Sequence, residues 1–416
     1  MQRKHELPLK ERQVLRLAGR LPIAMVAACP FPASRGTPVR IQQMGEALDS
    51  LGYDVHVVTY HLAQERPVKN LQIHRTRNVP YYTELGAGPN YFKLLVLDPM
   101  LVRRLTQVVR RHRIRIIHAH HFEGALCALA VKRMIGGVQV IYDAHTSLKE
   151  ELFDYQFRLP RFIKKAASDI LDSGIPRWCD HVVTVSDKLK DEVMEHGVPE
   201  SKITVIPLAV NRMDFPPVDK ATVRAALNMT DRPTVVYTGN LAPFQGVDHL
   251  LRSMSKVKDR LPNAHLVLVS APTEPYKAMV KSLELDQHVS FVGDLTFDKV
   301  RDYLAAADVV VLPRDRCTGF PLKLLNYMAA GRAIVAFKGS SAEVLVHMNN
   351  GYVVPGSDED DFTQGIIRLL TDKNLNTTLG QAARTAVDPY ETSAVTARIG
   401  HLYEHIEANG RAHHAE

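Results

Sequence analysis

Short apolar runs rich in valine and isoleucine alternate along the chain with segments whose apolar residues recur at helical spacing. Strands of a parallel sheet are covered by helices on both faces, so their sequences are typically uninterrupted apolar runs. The alternation therefore predicts an α/β protein built from doubly wound parallel sheets.

Two series of strands are predicted, and they indicate two domains. The first series covers residues 22–29, 54–59, 114–120, 138–145, 181–186 and 203–208. The second series covers residues 234–239, 265–270, 288–293, 308–314, 333–338 and 351–355. Between them, "NRMDFPPVDKATVRAALN" has a proline pair and no strand pattern, which predicts an interdomain linker near Phe215 to Asp219.

Length, charge and cysteine content narrow the class of protein only in part. The 416 residues are 45% hydrophobic, enough for two large domains, and the net charge is +7. This charge suits phosphorylated ligands, nucleic acid and anionic membrane surfaces alike. The four cysteines lack paired spacing, so neither a disulfide framework nor a zinc knuckle is indicated. Without a membrane-spanning run or a signal-peptide pattern, we expect a cytoplasmic protein, either soluble or peripheral on the inner face of the membrane.

One predicted helix start carries positive charge. In "PRDRCTGFPLKLLNYMAAGRAIVAF", residues 313–337, the first helical turn contains Lys323 and no acid, and Arg314 and Arg316 precede it. A helix N-terminus is the positive end of the backbone dipole, so a cation there is unfavourable by roughly 0.3–1 kcal/mol. Free N–H groups at such a start bind anions, which predicts an anion site here. The alternative is that Lys323 extends to solvent and that the arginines pair with Asp315.

Seven segments follow one another in a recognisable order. They are "GTPVRIQQMGEALDSLGYDVHVVT", "IIHAHHFEGALCA", "VIYDAHTSLKEEL", "VVTVSDKLKDEVMEHGVPESKITVIPLAVN", "YTGNLAPFQGVDHLLRSM", "ADVVVLPRDRCTGFPLKLLNYMAAGRAIVA" and "AEVLVHMNNGYVVPGSDEDD". In this order they resemble glycosyltransferase family 4, also called group 1. The resemblance covers roughly residues 22 to 372 and implies the GT-B fold, in which two Rossmann-like domains face each other across a central cleft.

The resemblance also implies a division of the chain. The expected parts are a basic N-terminal extension over residues 1–20, an acceptor domain over 21–215, a nucleotide-sugar donor domain over 216–390 and a C-terminal helix over 391–416. That last helix is expected to cross back to the first domain.

The resemblance further implies a reaction and a donor site. Members of the family transfer a sugar from a nucleotide-diphosphate donor to an acceptor hydroxyl by front-face substitution, with retention of anomeric configuration. They generally need no metal, because protein groups neutralise the diphosphate; no metal and no cofactor are expected here, and a UDP-sugar is favoured over a GDP-sugar. Arg314 and Lys323 are assigned as catalytic. The donor-binding residues are expected to be Gly36, Thr37, Asn240, Gln245, Gly246, Arg316, Thr318, Gly319, Phe320, Pro321, Leu322 and Asn326.

This donor site departs from the usual family pattern. Thr318 and Asn326 stand where members commonly carry glutamates, and Asn240 and Gln245 stand where many carry an arginine and a lysine. Charge-assisted hydrogen bonds are about twice as strong as neutral ones, and the two amide side chains carry no charge. Arg314, Arg316 and Lys323 therefore have to balance the negative charge of the diphosphate. We interpret this as a rearranged donor site. The alternatives are a catalytically silent GT-B protein that binds a nucleotide sugar or a protein partner and, more distantly, an epimerase acting on a nucleotide sugar.

The first domain is expected to place a histidine near the reacting sugar. His118 and His120 share one face of a predicted strand, and by the resemblance His120 is assigned as the catalytic residue that holds a sugar hydroxyl or polarises the acceptor. Asp143 and His145 end the next strand and are assigned to the acceptor side. A buried structural role is the alternative for each histidine. A metal site with Glu123 is left out, because the ligands lack helical i, i+4 spacing.

Basic segments in the first half favour an anionic surface. Residues 101–115 combine an apolar face with flanking arginines, residues 155–165 mix aromatic and basic side chains, and the first twenty residues carry six Lys or Arg against two Glu. Such segments can lie on anionic lipid, which favours a lipid-linked or polysaccharide acceptor. The alternative is a solvated helix face. Nucleic acid is not expected, because neither a recognised module nor an aromatic stacking platform is present.

Overall fold

The computed structural model describes residues 20–33, 36–64, 67–83, 90–152, 160–229, 231–293, 295–317, 319–341 and 344–412. These residues form two compact units. The first unit contains the chain up to Leu208 together with the segment from Val395, and the second contains Ala209–Ala394. The predicted linker belongs to the second unit, where the buried ring of Phe215 packs edge-on against Phe297, with 5.9 Å between centroids. Apart from Arg20, the predicted basic extension lies outside the described residues.

The first unit is built on a seven-stranded parallel sheet. Its strands are β1 (Pro22–Ala27), β2 (Asp54–Thr59), β3 (Gln72–Arg75), β4 (Ile116–His120), β5 (Gln139–Ala144), β6 (His181–Thr184) and β7 (Ile203–Val205). They lie in the order β3-β2-β1-β4-β5-β6-β7. The helices between them are α1 (Gly36–Ser50), α2 (Asp98–His112), α3 (His121–Ile135), α4 (Leu148–Glu151), α5 (Arg161–Trp178) and α6 (Asp187–Glu195), and a π-helical turn, Lys93–Leu97, leads into α2.

The second unit repeats this architecture with a six-stranded sheet. Its strands are β8 (Thr234–Thr238), β9 (His265–Val269), β10 (Val289–Phe291), β11 (Val309–Leu312), β12 (Ala333–Phe337) and β13 (Tyr352–Val354), in the order β10-β9-β8-β11-β12-β13. Its helices are α7 (Lys220–Ala226), α8 (Val247–Arg260), α9 (Glu274–Ser282), α10 (Phe297–Ala306), α11 (Leu322–Ala329), α12 (Glu359–Thr371) and α13 (Lys373–Ala386). The last helix, α14 (Thr392–Ala412), joins the first unit from Val395 onward.

The predicted fold class is confirmed, and each predicted strand is present. All residues of β4, β8 and β12 are buried, as expected of strands covered by helices on both faces. Strand β3 was not predicted. It is a short edge strand, "QIHR", whose residues are all at least partly exposed, so it lacks the apolar run that marks the other strands.

Strand register brings the predicted side chains of the first unit together. Strands β4 and β5 are parallel neighbours in which His120 lies opposite Asp143. Both residues lie at or near the carboxyl ends of their strands, the edge at which open parallel α/β sheets bind ligands.

None of the helices in the described part of the chain combines the length and the apolar character that a membrane crossing requires.

Candidate functional site

Lys323 lies in the first turn of α11 and contacts neutral groups of the same unit. Its Nζ donates to Tyr237 Oη at 3.0 Å and to Gln245 Oε1 at 2.9 Å. It also lies 4.4 Å from the centroid of the Tyr237 ring, within the range of a cation–π contact. The first turn of α11 has no acidic residue. The lysine therefore folds back over the end of β8 and does not extend freely into solvent.

Arg314 follows β11 and reaches the same region. Its Cζ lies 5.1 Å from the centroid of the Phe244 ring, and its Nε is buried without a hydrogen-bond partner among the described residues. Arg316 and Asp315 are exposed, and the described residues offer no ion pair to either arginine. The alternative in which these arginines pair with Asp315 is not what the structure shows. We call Lys323, Arg314, Tyr237, Gln245 and Phe244 the Lys323 cluster.

Two cations thus lie near each other in the Lys323 cluster, and no carboxylate of the described residues lies between them. Burial, and after it the positive charge of Arg314, lowers the pKa of Lys323 to about 7. A lowered lysine pKa means that the surroundings disfavour its charge. A bound anion would reverse this effect, because an opposite charge at close range favours the ammonium form.

Glycines allow the loops after β8 and β11 to meet at the Lys323 cluster. Gly246 has φ +70°, and a Cβ there would overlap the carbonyl oxygen of Pro313. Gly239 has φ +122°, and a Cβ there would lie 2.9 Å from Lys323 Nζ. Gly246 therefore requires glycine for both conformation and space, whereas Gly239 requires it for conformation, because the lysine side chain could move aside. Gly246 was predicted as a donor-site residue from the sequence, whereas Gly239 was not.

Tyr327 fixes α11 against β8, and the sequence did not single it out. Its side chain lies one helical turn after Lys323, so both project from the same face of α11. The backbone N–H of Thr238 donates to Tyr327 Oη at 2.9 Å, and the hydroxyl of Thr238 lies 3.2 Å from the same oxygen. A tyrosine four residues after a site lysine is the signal that could have identified it.

Most of the other predicted donor-site residues lie in loops of the second unit, whereas Gly36 and Thr37 belong to the first unit. Asn240 accepts from Tyr237 through its carbonyl oxygen at 2.8 Å, and its side chain accepts from the N–H of Ala242 at 3.2 Å. Gly319, Phe320 and Pro321, which precede α11, are partly buried, and so is Leu322, its first residue. Phe320 packs against the ring of Tyr390, with 5.3 Å between centroids, and Asn326 is partly buried in α11. Thr318 lies outside the described residues.

In the first unit, the buried Asp143 is surrounded by Arg40, His118, His120 and His145, and we call these five residues the Asp143 cluster. The carboxylate is fully buried and accepts two hydrogen bonds from Arg40 of α1, Nε to Oδ2 at 2.8 Å and Nη2 to Oδ1 at 2.7 Å. Arg40 Nη2 also donates to the carbonyl oxygen of Ile206 at 2.8 Å. Burial acts to raise the pKa of Asp143, but the Arg40 guanidinium and the neighbouring histidines outweigh it and hold that pKa well below its usual range. The sequence did not identify Arg40.

Histidines surround the same carboxylate. Nδ1 of His120 lies 2.9 Å from Asp143 Oδ2, and Nε2 of His145 lies 3.3 Å from it. Because an ionised carboxylate only accepts, this contact assigns the proton of His120 to Nδ1. Nε2 of His120 is buried and has no hydrogen-bond partner among the described residues. Burial lowers the pKa of His120 to about 3, which keeps the ring neutral at physiological pH.

Two further contacts link this Asp143 cluster to helices of the first unit. Thr37 Oγ1, in the first turn of α1, lies 3.2 Å from His145 Nδ1, and the neighbouring Gly36 is exposed. On the other side, Nδ1 of His118 lies 2.9 Å from the hydroxyl of Tyr403 in α14. The predicted residues Thr37, His120 and Asp143 are therefore brought together with His145.

The same cluster contains a set of potential metal ligands, His118, His120 and Asp143. Arg40 already donates to both oxygens of the carboxylate, and its positive charge opposes a second cation at that position. The donor set therefore fits an arginine–aspartate ion pair better than a metal centre.

Two family models match the chain. A model described as Glycosyltransferase Family 4 matches residues 34–212, and one described as Glycosyl transferases group 1 matches residues 232–372. The first match covers most of the first unit and ends just beyond its boundary at Leu208, and the second match lies within the second unit. The chain belongs to glycosyltransferase family 4. The resemblance inferred from the sequence is thereby confirmed: the protein is a glycosyltransferase of the GT-B type, which transfers sugar from a nucleotide sugar.

Named relatives of this glycosyltransferase differ in what they act on. The chain is 22% identical over 392 residues to an N-acetyl-alpha-D-glucosaminyl L-malate synthase of Bacillus anthracis, a match that covers 92% of this chain and 97% of the relative. It is 32% identical over 181 residues to a GDP-mannose-dependent monoacylated alpha-(1-6)-phosphatidylinositol monomannoside mannosyltransferase of Corynebacterium glutamicum, covering 41% of this chain and 47% of the relative.

A solved structure supports the assignment of the fold. The crystal structure of Anabaena HepE in complex with UDP-glucose aligns with a TM-score of 0.72 at 16% identity, covering 92% of this chain and 100% of that one. At this level of identity the likeness shows the fold alone.

Proposed function

We propose that this chain is a retaining glycosyltransferase that uses a UDP-sugar as donor, binds its diphosphate without a metal ion, and acts on a lipid-linked acceptor at an anionic membrane surface. The observation that carries the proposal is the Lys323 cluster, in which two cations lie near a helix start. Among the described residues, no acidic side chain neutralises them.

The Lys323 cluster has the components of a diphosphate site. Lys323 and Arg314 supply two positive charges, and the free N–H groups at the start of α11 supply dipoles aimed at an anion. Gly239 and Gly246 remove side chains from the adjoining loop, so backbone can approach a ligand closely. Arg316, exposed in the same loop, can add a third charge.

In the proposed reaction, the acceptor oxygen bonds to the anomeric carbon on the face from which the nucleoside diphosphate departs. The bond between that carbon and the phosphate oxygen breaks, and the departing phosphate oxygen takes the proton of the acceptor hydroxyl. Negative charge grows on the leaving diphosphate in the transition state. Pre-positioned cations in a partly dry site stabilise such charge strongly, and this is the role we give to Lys323 and Arg314.

His120 has a supporting role in this proposal. With Nδ1–H directed at Asp143, its free Nε2 can accept a hydrogen bond from a substrate hydroxyl. Its low pKa makes it a poor proton acceptor at neutral pH. We therefore assign it to hold a hydroxyl group and not to act as a general base.

The choice of UDP rests on the fold neighbour, HepE, whose structure contains UDP-glucose. The Corynebacterium relative is named for GDP-mannose, so both nucleotides belong in the test.

Donor hydrolysis tests the proposed reaction without knowledge of the acceptor. The purified protein is incubated with UDP- and GDP-sugars, and free sugar is followed by NMR, which also reports the anomer first released. We expect slow release from a UDP-sugar with retained configuration, and a loss of at least about tenfold in Lys323→Met, since one charge-assisted contact is worth roughly 1.5–3 kcal/mol. Lys281→Met is the matched control, because Lys281 is exposed on α9 of the same unit. Inverted product, or equal rates in both variants, would contradict the proposal.

An exposed apolar face on α5 supports the lipid-linked acceptor. Phe162, Ile163 and Ile170 are 73%, 39% and 61% exposed, and helical spacing places them on one side of α5. Exposed Arg161 and Lys165 flank that side, which also carries the exposed Asp169. An apolar strip bordered by cations is the pattern of a helix that lies in an anionic lipid surface. We call Arg161, Phe162, Ile163, Lys165 and Ile170 the α5 face.

Some of the basic residues expected at this surface do not take part. Lys164 is buried, and its Nζ donates to the carbonyl oxygen of Leu152 at 3.1 Å. Tyr155, Phe157 and Arg158 lie outside the described residues. In α2, the apolar face predicted within residues 101–115 is buried, and it consists of Leu101, Leu105, Val108 and Val109. Arg103, Arg110 and Arg111 are exposed.

Vesicle flotation tests the α5 face. We expect the protein to bind vesicles that contain about a third phosphatidylglycerol and to detach at high salt, because surface attraction is screened within roughly 10 Å at 0.1 M. Phe162→Ser/Ile170→Ser should reduce binding several-fold, whereas Met213→Ser, which alters an exposed methionine of the second unit, should not. Equal binding to neutral vesicles would argue against an anionic surface, and unchanged binding of the double variant would argue against the α5 face.

A further inference from the structure

Three histidines that are distant in the sequence come together in the first unit, outside the Asp143 cluster. His56 lies on β2, His74 on the edge strand β3, and His112 is the last residue of α2. We propose that His56, His74 and His112 form a binding site for a transition-metal dication such as Zn²⁺, with three imidazole ligands and a fourth position left to water.

The topology explains why these residues meet. Strands β2 and β3 are parallel, with His56 opposite Gln72 and Val58 opposite His74, so both histidines project from the same face of the sheet as diagonal neighbours. Helix α2 packs against both strands, and its C-terminal end brings His112 to that face.

The ligand atoms are close enough to share one ion. One nitrogen of each ring can be chosen so that all three lie within 4.8 Å of one another. Nδ1 of His56 is 2.9 Å from Nε2 of His74, and the ring centroids of His56 and His112 are 4.1 Å apart. Zinc–nitrogen bonds of about 2.0–2.1 Å in tetrahedral geometry put ligand nitrogens roughly 3.4 Å apart. Small side-chain rotations of the two partly exposed histidines would reach this spacing.

A carboxylate lies where a metal-binding histidine needs one. Nε2 of His56 lies 3.2 Å from Asp54 Oδ2, and Gln72 donates to the other oxygen of Asp54 at 2.7 Å. A metal-ligating histidine commonly donates its second N–H to such a group, which fixes its orientation. This arrangement leaves Nδ1 of His56 directed at His74 and available as a ligand.

The surroundings suit entry of an ion. His56 is buried, whereas His74 and His112 are partly exposed, so solvent reaches one side of the cluster. The neutral imidazole is the form that binds a metal, and the proton between His56 Nδ1 and His74 Nε2 in the metal-free protein would move to Nδ1 of His74 when an ion binds. Arg104 and Arg111 act on His74 with positive charge, and Asp54 is the nearby anion that offsets them.

A metal here would join three elements of the first unit. It would tie the edge strand β3, which is covered only in part, to β2 and to the end of α2. Three nitrogen ligands with an open position favour Zn²⁺, Ni²⁺ or Cu²⁺ over Mg²⁺ or Ca²⁺, which prefer oxygen.

The test uses the full chain, purified without a histidine tag and stripped with a chelator. Zn²⁺ binding is measured by calorimetry, and Co²⁺ is used as a probe whose visible absorption reports four-coordinate geometry. We expect one equivalent of Zn²⁺ to bind, and the unfolding midpoint to rise by roughly 5–10 °C at about a hundredfold excess over Kd. His74→Gln and His112→Gln should each abolish both effects, since two imidazoles alone bind weakly.

His401→Gln is the matched control, because His401 is 82% exposed on α14 and lies outside the cluster. The metal-free unfolding midpoint and circular dichroism of each variant show whether it is folded. The proposal would be overturned if the two variants bound Zn²⁺ as well as wild type does, or if His401→Gln abolished binding. It would also be overturned if wild type did not bind at micromolar Zn²⁺.

Discussion

Lys323 is held where its own charge is disfavoured, and this makes it sensitive to an anion. Its hydrogen-bond partners, Tyr237 and Gln245, are neutral, and the nearest cation acting on it is Arg314. A lysine with a pKa near 7 is only partly charged at neutral pH. A diphosphate beside it would raise that pKa, and binding would therefore take up a proton.

This gives a pH dependence for donor binding. The free pKa is about 7 and the bound pKa is higher, so affinity for UDP-glucose is at its full value below pH 7 and falls as the pH rises from 7 to 9. The slope should approach, and not exceed, about tenfold per pH unit, the limit for one linked proton. UDP-glucose is the right probe because its diphosphate stays fully ionised over this range. Calorimetry should show this slope in wild type and in Lys281→Met, and a flat, weaker profile in Lys323→Met; a flat wild-type profile would disprove the linkage.

Arg40 and Asp143 form a buried ion pair whose parts depend on each other. Removing one partner from such a pair typically costs about 3–5 kcal/mol, because the remaining charge is left buried without compensation. Arg40 contributes most to the low pKa of Asp143 and the neighbouring histidines add to it, whereas burial alone would raise it.

We predict that Arg40→Met destabilises the protein by about 3–5 kcal/mol at pH 7 in urea denaturation, and that Arg40→Met/Asp143→Asn recovers part of the loss. The sign of the pH dependence should also change. In wild type the carboxylate contributes stability above the unfolded pKa near 3.8 and loses it as the pH falls through its depressed folded value. In Arg40→Met we expect burial to outweigh the remaining histidine contacts and to raise the pKa of the Asp143 carboxyl, so stability should rise as the pH falls from 7 to 5. A double variant no more stable than the single one would show that the two residues are not coupled.

At the scale of elements, α14 supports the strand that carries the catalytic candidate. Tyr403 of α14 is fully buried, and its hydroxyl lies 2.9 Å from His118, which stacks on His120 with 4.8 Å between ring centroids. Loss of that hydroxyl would leave a buried histidine nitrogen without its partner, at a cost of about 1–3 kcal/mol.

Tyr403→Phe should therefore lower the free energy of unfolding by about 1–3 kcal/mol. Tyr53→Phe is a suitable control: Tyr53 packs beside Tyr403 at 5.2 Å, but its hydroxyl bonds to the partly buried Glu407, where water can replace it. Urea denaturation of the two variants makes the comparison. Equal decreases in the free energy of unfolding would mean that the buried contact with His118 contributes no more than the contact of Tyr53 with Glu407.

Whether an element could be predicted depended on how its residues are covered. The central strands have to be apolar because both faces are buried, so the sequence predicted them. Strand β3 has a partly exposed, polar sequence that also fits a loop, and its strand conformation comes from pairing with β2. The start of α11 at Lys323 was predicted as an anion site from charge and dipole, whereas the contact of Lys323 with Tyr237 depends on the packing of α11 beside β8.

At the scale of the whole molecule, the order of motifs was sufficient for the family and for two Rossmann-like units, both of which are confirmed. The partners of individual polar residues were not predictable in the same way. Asp143 was singled out from the sequence, but its partner Arg40 lies on the buried face of an otherwise ordinary amphipathic helix. Only the fold brings together side chains separated by 103 positions.

The central claim is that Lys323 and Arg314 replace a metal ion in neutralising a diphosphate. The most direct measurement compares the binding of UDP and of uridine by calorimetry, in a buffer that contains a chelator. We predict that wild type and Lys281→Met prefer UDP over uridine by at least about tenfold to a hundredfold, and that Lys323→Met loses most of this preference. If Lys323→Met retained the full preference, or if wild type lost it on removal of divalent metal, the account would be wrong.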